Sequence, residues 1–224
     1  MNQRPPRFLT SSVGTKFVLG LTGLLLCGFL VTHLAGNMLL FLGPTAFNEY
    51  SHKLISNPLI YFAEIGLLLL FITHITWAVR MTLENNAARP VPYGYKNPAG
   101  HTSRKSLASS TMIYSGLLVF FFVVVHLKQF KYGPDYPAEG GTMRDLHRLV
   151  VELYKQPGLV AFYAVMMVVL GFHLWHAFAS GLQSLGITHP KAGRLILLAG
   201  RLFAVVIAGG FLILPFWIHL HYAR

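Results

Sequence analysis

Five histidines of this chain lie inside long apolar stretches, where an ionisable side chain is costly and is a functional candidate by default. His33, His74 and His126 each stand alone in their stretch, whereas His173 and His176 share one and lie about one helical turn apart. A neutral imidazole nitrogen is a common ligand of haem iron. Four helices that each present one imidazole could therefore hold two haems, each between two histidines.

The composition is that of a membrane protein. Hydrophobic residues make up 54% of the 224 residues and charged residues only 11%, against roughly 25% charged residues in soluble domains. The formal net charge of +11 comes from Lys and Arg that lie between the apolar stretches. This placement indicates that the basic residues determine the topology and form a docking face for an acidic partner. It argues against a role in binding nucleic acid. The single Cys27 excludes an intrachain disulfide, and we expect it to be a packing residue.

The apolar stretches predict an all-α membrane protein with five transmembrane helices in one domain, 1–224, the first four forming a haem-binding bundle. The predicted spans are about 17–42, 58–81, 107–132, 157–185 and 195–220. The first stretch is too long for the core of a signal peptide, so we expect it to be retained. We predict a loop at 43–57, and a short interfacial helix within 142–156, whose apolar residues recur at helical spacing.

The basic residues predict the orientation in the membrane. Segments on the side of the N-terminus hold 11 of the 18 Lys and Arg, and those on the opposite side hold 7. Because the cytoplasmic side of a membrane protein is the more basic one, we expect the N-terminus in the cytoplasm.

Depth along the helices predicts how the histidines pair. His33 lies 18 residues past Thr15 and His126 lies 20 past Ser106, which puts both about 27–30 Å along outward-running helices. His74 and His173 lie 17 and 16 residues past the outer ends of helices that return inward, or about 24–26 Å below those ends. We therefore predict an outer haem between the first pair and an inner haem between the second.

Other polar residues have alternative interpretations. His176 is three residues from His173 and is either an alternative ligand or a side chain that handles protons or contacts a haem propionate. Glu64 is an acid inside an apolar stretch, about 15 Å outward from His74. It is predicted to transfer protons for a quinone, or else to make a structural pair with a tyrosine or a haem-linked group. The remaining histidines are expected in solvated loops or at the end of the fifth span: His52, His101, His147, His189, His219 and His221.

The glycine-rich first span contains Gly20, Gly23, Gly28 and Gly36. Small residues let another helix, or a flat ring, approach the backbone closely. Gly36 follows His33 by about one turn, so it either leaves space for a porphyrin edge or packs against a helix.

Several motifs resemble one known family over nearly the whole chain. The most specific is His173-Leu-Trp-His-Ala…Ser180-Gly-Leu-Gln-Ser-Leu-Gly186 in the fourth span. Others are Ser11-Ser12…Lys16…Thr22-Gly23, His33-Leu-Ala-Gly-Asn37, Phe47-Asn-Glu-Tyr, Glu64…His74, Ala88-Arg-Pro…Tyr93 and Ser115-Gly…His126-Leu. These motifs resemble the cytochrome b558 membrane anchor of succinate dehydrogenase and fumarate reductase, of the single-chain, five-helix, two-haem type.

The resemblance implies a function and partners. The chain would bind two haem b and a membrane quinone, which is usually menaquinone in the two-haem members of this family. It would anchor an FAD-containing flavoprotein and an iron–sulfur subunit to the bacterial cytoplasmic membrane. In that family the histidine matching His173, and not the one matching His176, holds iron. The chain carries no FAD fingerprint and no cysteine cluster, so the dicarboxylate chemistry would lie on the partners.

Three alternatives compete with this interpretation. The cytochrome b of a quinol–cytochrome c reductase needs two helices that each carry two histidines 13–14 residues apart, and only His176 and His189 have that spacing, with Gly186 breaking the helix between them. A haem anchor of a formate dehydrogenase or a hydrogenase would also be a multi-histidine bundle. A haem-free membrane protein could use the same histidines to handle protons.

Overall fold

A computed structural model describes residues 11–88, 111–138, 141, 143–187 and 193–223. Within these residues the chain folds into seven α-helices and no β-strand. The helices are α1 (Ser12–Met38), α2 (Pro44–Ile55), α3 (Leu59–Ala87), α4 (Met112–His126), α5 (Leu146–Tyr154), α6 (Pro157–Ser184) and α7 (Gly193–Tyr222). A 3₁₀ turn, Leu39–Leu42, extends α1, and a π-helical turn, Leu127–Lys131, extends α4.

The prediction of an all-α protein with five transmembrane helices is confirmed at the level of length and composition. Five of the described helices are long and apolar enough to cross a membrane: Ser12–Leu42, Leu59–Ala87, Met112–Lys131, Pro157–Ser184 and Gly193–Tyr222. Their bounds differ from the predicted ones by a few residues, and the predicted start of the third span, 107–110, lies outside the described residues. So do His101, His189 and eight of the basic residues counted for topology: Arg4, Arg7, Arg89, Lys96, Arg104, Lys105, Lys191 and Arg224.

Helices α1 and α6 form the centre of the bundle. Helix α1 contacts α3, α6 and α7, and α6 also contacts α4 and α7. The contact between α3 and α4 is smaller than any of these. An added Cβ on Gly20 of α1 would lie 2.8 Å from Cβ of Ser184 and 3.0 Å from the carbonyl oxygen of Gly181. The small residues thus let α1 and α6 cross closely. Cys27 is buried in the apolar core between α1, α6 and α7, as expected of a packing residue.

The loop predicted at 43–57 is wrong, because Pro44–Ile55 forms the helix α2. Gly43 turns the chain at φ +96°, which favours glycine, and Pro44 at the first helical position needs no backbone donor. Helix α2 then buries Phe47, Asn48 and Ser51 on one face and leaves His52 exposed on another. A 12-residue amphipathic helix with charged ends has too weak an apolar signal to be distinguished from a loop by hydropathy.

The short helix predicted within 142–156 is observed as α5, Leu146–Tyr154. The Asp145 carboxylate accepts the backbone N–H of Arg148, 2.9 Å away, and so caps the helix start. Asn48 of α2 donates to the same carboxylate over 2.7 Å and accepts the backbone N–H of His147 over 2.8 Å. This buried polar bridge fixes α5 on α2.

His147 was expected to be solvated, and this prediction is wrong. Its side chain is 6% exposed, with its ring 6.5 Å from Phe47 and 5.7 Å from Tyr222 between ring centroids. His147 lies within the segment predicted to be a short helix, and the helical period of α5 turns its ring inward against α2 and α7. Burial lowers the pKa of His147 below its ordinary value, and the Asp145 carboxylate opposes that shift only in part.

Candidate functional site

His33 of α1 and His126 of α4 come together toward the C-terminal ends of their helices, at the level predicted to be the outer one. Their ring centroids are 5.9 Å apart and the ring planes are perpendicular. Aromatic rings surround the pair, at centroid distances of 5.0–5.6 Å from one imidazole or the other: Phe29, Phe122, Phe130 and Phe211. The two imidazoles thus face each other in an apolar, aromatic environment that excludes water.

His126 has a phenol as a polar neighbour. The Tyr163 hydroxyl of α6 lies 3.4 Å from Nδ1 of His126 and donates its proton to Oε1 of Gln129 over 2.6 Å. Gln129 belongs to the π-helical turn that follows His126. This turn carries its amide toward α6, and such turns recur at functional positions of helices.

His74 of α3 and His173 of α6 form a second group of imidazoles. Nδ1 of His74 lies 3.1 Å from the Thr22 hydroxyl of α1, and Nδ1 of His173 lies 3.0 Å from the Ser115 hydroxyl of α4. His74 and His173 lie close enough for a charge on one ring to act on the other. Helices α1 and α4 therefore each hold one histidine of α3 or α6 through a hydroxyl.

The two groups of histidines lie at different levels of the bundle. Thr22 precedes His33 by 11 residues, and Ser115 precedes His126 by the same 11 residues. Eleven residues make about three helical turns and rise about 16 Å, so each hydroxyl and its histidine share a helix face. His74 and His173, which the hydroxyls contact, are consequently about 16 Å inward from His33 and His126.

Glycines flank the inner histidines at equivalent positions. Gly23 follows Thr22, and Gly116 follows Ser115. An added Cβ on Gly23 would lie 3.2 Å from Cε1 of His74, and one on Gly116 would lie 3.4 Å from Cε1 of His173. The missing side chains thus let both imidazole rings lie directly against the backbones of α1 and α4.

Gly36 has a different role from its porphyrin-edge interpretation. An added Cβ there would lie 2.8 Å from Cε1 of Tyr50, so the tyrosine ring of α2 occupies the space beside Gly36. The helix-packing interpretation therefore describes this glycine.

His176 is partly buried near His173 on α6 and interacts with it electrostatically. The Ser115 hydroxyl bonds to His173, which also neighbours His74. Of the two histidines on α6, His173 is therefore the one that the other helices orient.

Glu64 lies on α3 near the level of the outer histidines, and its partner is neither a tyrosine nor a histidine. Its carboxylate pairs with the ammonium of Lys131, which ends the π-helical turn after His126. The pair is part-exposed and links α3 to α4, two helices that contact each other only slightly.

The side chains present fit two bis-histidine haems. Among the described residues no group of three or more His, Cys, Asp or Glu could hold a free metal ion, whereas haem iron needs only two axial protein ligands because the porphyrin supplies the equatorial nitrogens. None of the 29 residues described for α3 is fully buried, so α3 lies at the periphery of the bundle, with His74 on the side that contacts α1. The imidazoles grouped at two levels are the ligands that two bis-histidine haems would require.

The sequence interpretation named Thr22 and Ser115 only within the resemblance motifs, and it gave no role to their hydroxyls or to the phenol of Tyr163. The signal that could have found the first two is the repeated pattern of hydroxyl residue, glycine and, 11 residues after the hydroxyl, histidine on α1 and α4. Comparison of the chain with known protein families, with curated proteins and with solved structures finds no match.

Proposed function

We propose that this chain is the membrane-anchor subunit of a succinate:quinone oxidoreductase, or complex II, and holds two b-type haems that carry electrons between an iron–sulfur subunit and membrane quinone. The observation that supports this best is the occurrence of two imidazole pairs, from alternate helices, at levels about 16 Å apart. The motif resemblance supplies the identity of the complex, and the imidazole pairs supply the electron-carrying role.

His33 and His126 are the proposed axial ligands of the outer haem, and His74 and His173 those of the inner haem. When bound, haem supplies one-electron redox chemistry at each level. The chain's own residues hold the imidazoles neutral and oriented, while the aromatic rings around the outer pair exclude water. Two redox groups at different depths would carry electrons across hydrocarbon that charged species do not cross.

The remaining parts of the proposal concern the surroundings of the chain. An FAD-containing flavoprotein and an iron–sulfur subunit would dock at the cytoplasmic face and carry out the dicarboxylate chemistry. The chain would lie in the bacterial cytoplasmic membrane with its N-terminus in the cytoplasm, and its quinone would be menaquinone. Glu64 would transfer protons during quinone chemistry.

Single histidine substitutions test the pairing. The complex containing this chain, purified in detergent, should show two b-type components in its reduced-minus-oxidised spectrum. His33→Ala and His126→Ala should each remove the same component, and His74→Ala and His173→Ala the other, because one missing ligand releases a bis-histidine haem. His176→Ala is the matched control and should retain both.

Two results would contradict the proposal. A complex without extractable haem would show that the histidines serve another purpose, such as proton handling. Loss of the same component in His33→Ala and His74→Ala would break the alternate-helix pairing. Copurification with a flavoprotein and succinate–quinone activity tests the identity of the complex, whereas formate or hydrogen oxidation by the purified complex would favour an anchor of those dehydrogenases.

A further inference from the structure

The hydrogen bonds of Thr22 determine which nitrogen of His74 carries its proton. The Thr22 hydroxyl lies 2.8 Å from the carbonyl oxygen of Val18 and 3.1 Å from Nδ1 of His74. A hydroxyl has one proton, and a carbonyl can only accept. The carbonyl oxygen of Leu19 lies 3.2 Å from the same hydroxyl, so two backbone acceptors compete for its proton. With the proton on the shorter bond to Val18, the hydroxyl oxygen accepts from the imidazole, and His74 carries its proton on Nδ1.

Ser115 makes the same arrangement with His173. Its hydroxyl donates to the carbonyl of Met112 over 3.1 Å and lies 3.0 Å from Nδ1 of His173. The side chain is 8% exposed and that of Thr22 is 6% exposed, so water does not compete for either hydroxyl. With each hydroxyl proton on its backbone carbonyl, both imidazoles take the tautomer that leaves Nε2 without a proton.

We propose that Thr22 and Ser115 are positioning residues that hold His74 and His173 as Nδ1-protonated tautomers and direct the Nε2 lone pair of each ring at the iron of the inner haem. This inference rests on the proposed function. Iron binds only a nitrogen with a free lone pair, and a fixed acceptor at the other nitrogen also sets the ring orientation.

The placement of the two hydroxyls shows a paired design. Each is followed by a glycine whose backbone lies against Cε1 of the same imidazole, at 3.2 Å for Gly23 and 3.4 Å for Gly116 from an added Cβ. Cε1 lies between the two ring nitrogens. A Cβ at Gly23 would crowd the His74 ring, whereas a Cβ at Gly116 would just reach ordinary contact with the His173 ring. Each hydroxyl–glycine pair thus contacts its imidazole at both Nδ1 and Cε1.

Loss of either hydroxyl should change the inner haem and leave the outer haem unchanged. An acceptor at Nδ1–H makes an imidazole a stronger donor to iron and favours the oxidised metal. Removal of the acceptor should therefore raise the midpoint potential of the inner component and weaken its retention, by about 10- to 100-fold for outer-shell partners of metal ligands.

The test compares Thr22→Val and Ser115→Ala with a matched control in the purified complex. Thr76 of α3 is exposed and donates only to its own helix, to the carbonyl of Ile72 over 2.8 Å, so Thr76→Val removes a membrane hydroxyl without touching an imidazole. Potentials of both components are measured by redox titration, and haem loss is followed on transfer to excess apomyoglobin. Thr22→Ser and Ser115→Thr keep a hydroxyl and should restore the wild-type values.

The outcomes separate this inference from the proposed function. A wild-type complex without two b-type components would refute the function itself. Two components in the wild type, with the inner potential and haem loss of Thr22→Val and Ser115→Ala equal to those of Thr76→Val, would refute the positioning role alone. A shift in the inner component, absent in Thr76→Val and reversed by the hydroxyl-retaining variants, is the expected result.

Discussion

At the scale of single residues, the ion pair between Glu64 and Lys131 is the charged feature nearest the outer histidines. Glu64 is 10 residues before His74, hence about 15 Å outward, and Lys131 is 5 residues past His126. The carboxylate pairs with the Lys131 ammonium, and its part-exposed position keeps it within reach of a lipid-soluble substrate.

Glu64→Gln should leave both haems bound and slow quinone turnover, because the amide keeps the shape of the carboxylate and cannot take up a proton. Haem content is read from the spectrum, and turnover from succinate–quinone activity. Glu84→Gln is the matched control, since Glu84 lies on the same helix and pairs with Arg80 over 2.7 Å near its inner end. Equal turnover in both variants would reduce Glu64 to a structural partner of Lys131.

The sequence predicts the level of each histidine in the bundle better than it predicts which side chains contact that histidine. The rise of an α-helix is fixed, so counting residues from the membrane boundary predicts which imidazoles share a level. Rotation of each helix about its axis is not fixed by such a count. The contacts of Thr22 with His74 and of Lys131 with Glu64 depend on that rotation and appear only once the helices are packed.

At the scale of elements, α2 and α5 form a small polar joint outside the five long helices. Asn48 joins the cap residue Asp145 to the backbone of His147, and the buried His147 Nε2 has no hydrogen-bond partner among the described residues. The long helices follow from hydropathy alone, because a bilayer demands about 20 apolar residues. Short amphipathic helices such as α2 lack that signal, and their existence depends on the surface they cover.

His147 should make the protein less stable in acid. Its pKa is lowered in the folded state, so below its ordinary value of 6.5 the unfolded chain binds more protons, and stability falls as the pH decreases. Above that value both states are neutral and the residue adds no pH dependence. His147→Phe keeps a ring between Phe47 and Tyr222, removes the unpartnered nitrogen and should flatten the dependence.

The measurement is the thermal unfolding midpoint in detergent at about pH 7.5 and about pH 5.5, which lie on either side of the ordinary histidine pKa. The wild type should lose more stability between these values than His147→Phe. His52→Gln, on the exposed face of α2, should keep the wild-type difference. Identical differences in the wild type and His147→Phe would show that the buried imidazole does not couple folding to pH.

At the scale of the whole molecule, α1 and α4 run in the same direction and α3 and α6 run opposite to them. Each outward helix presents a hydroxyl at the inner level and a histidine at the outer level, and each inward helix presents a histidine at the inner level. At the outer level α6 adds Tyr163 and α3 adds Glu64, each 10 residues before the histidine of its helix. The bundle thus repeats one scheme in two helix pairs, α1 with α3 and α4 with α6.

The orientation of this scheme in the membrane is the remaining large-scale prediction. With the N-terminus in the cytoplasm, α2 lies outside and the end of α3 lies inside. Lys53→Cys on α2 should react with a membrane-impermeant maleimide in intact cells, whereas Asn86→Cys near the end of α3 should react only after permeabilisation. Both positions are exposed, and the single native Cys27 is buried, so the wild type is the unlabelled control. The reverse pattern of labelling would show that the predicted orientation is wrong. The level of His74 and His173 would then lie toward the opposite face of the membrane from the one where an iron–sulfur subunit is proposed to deliver electrons.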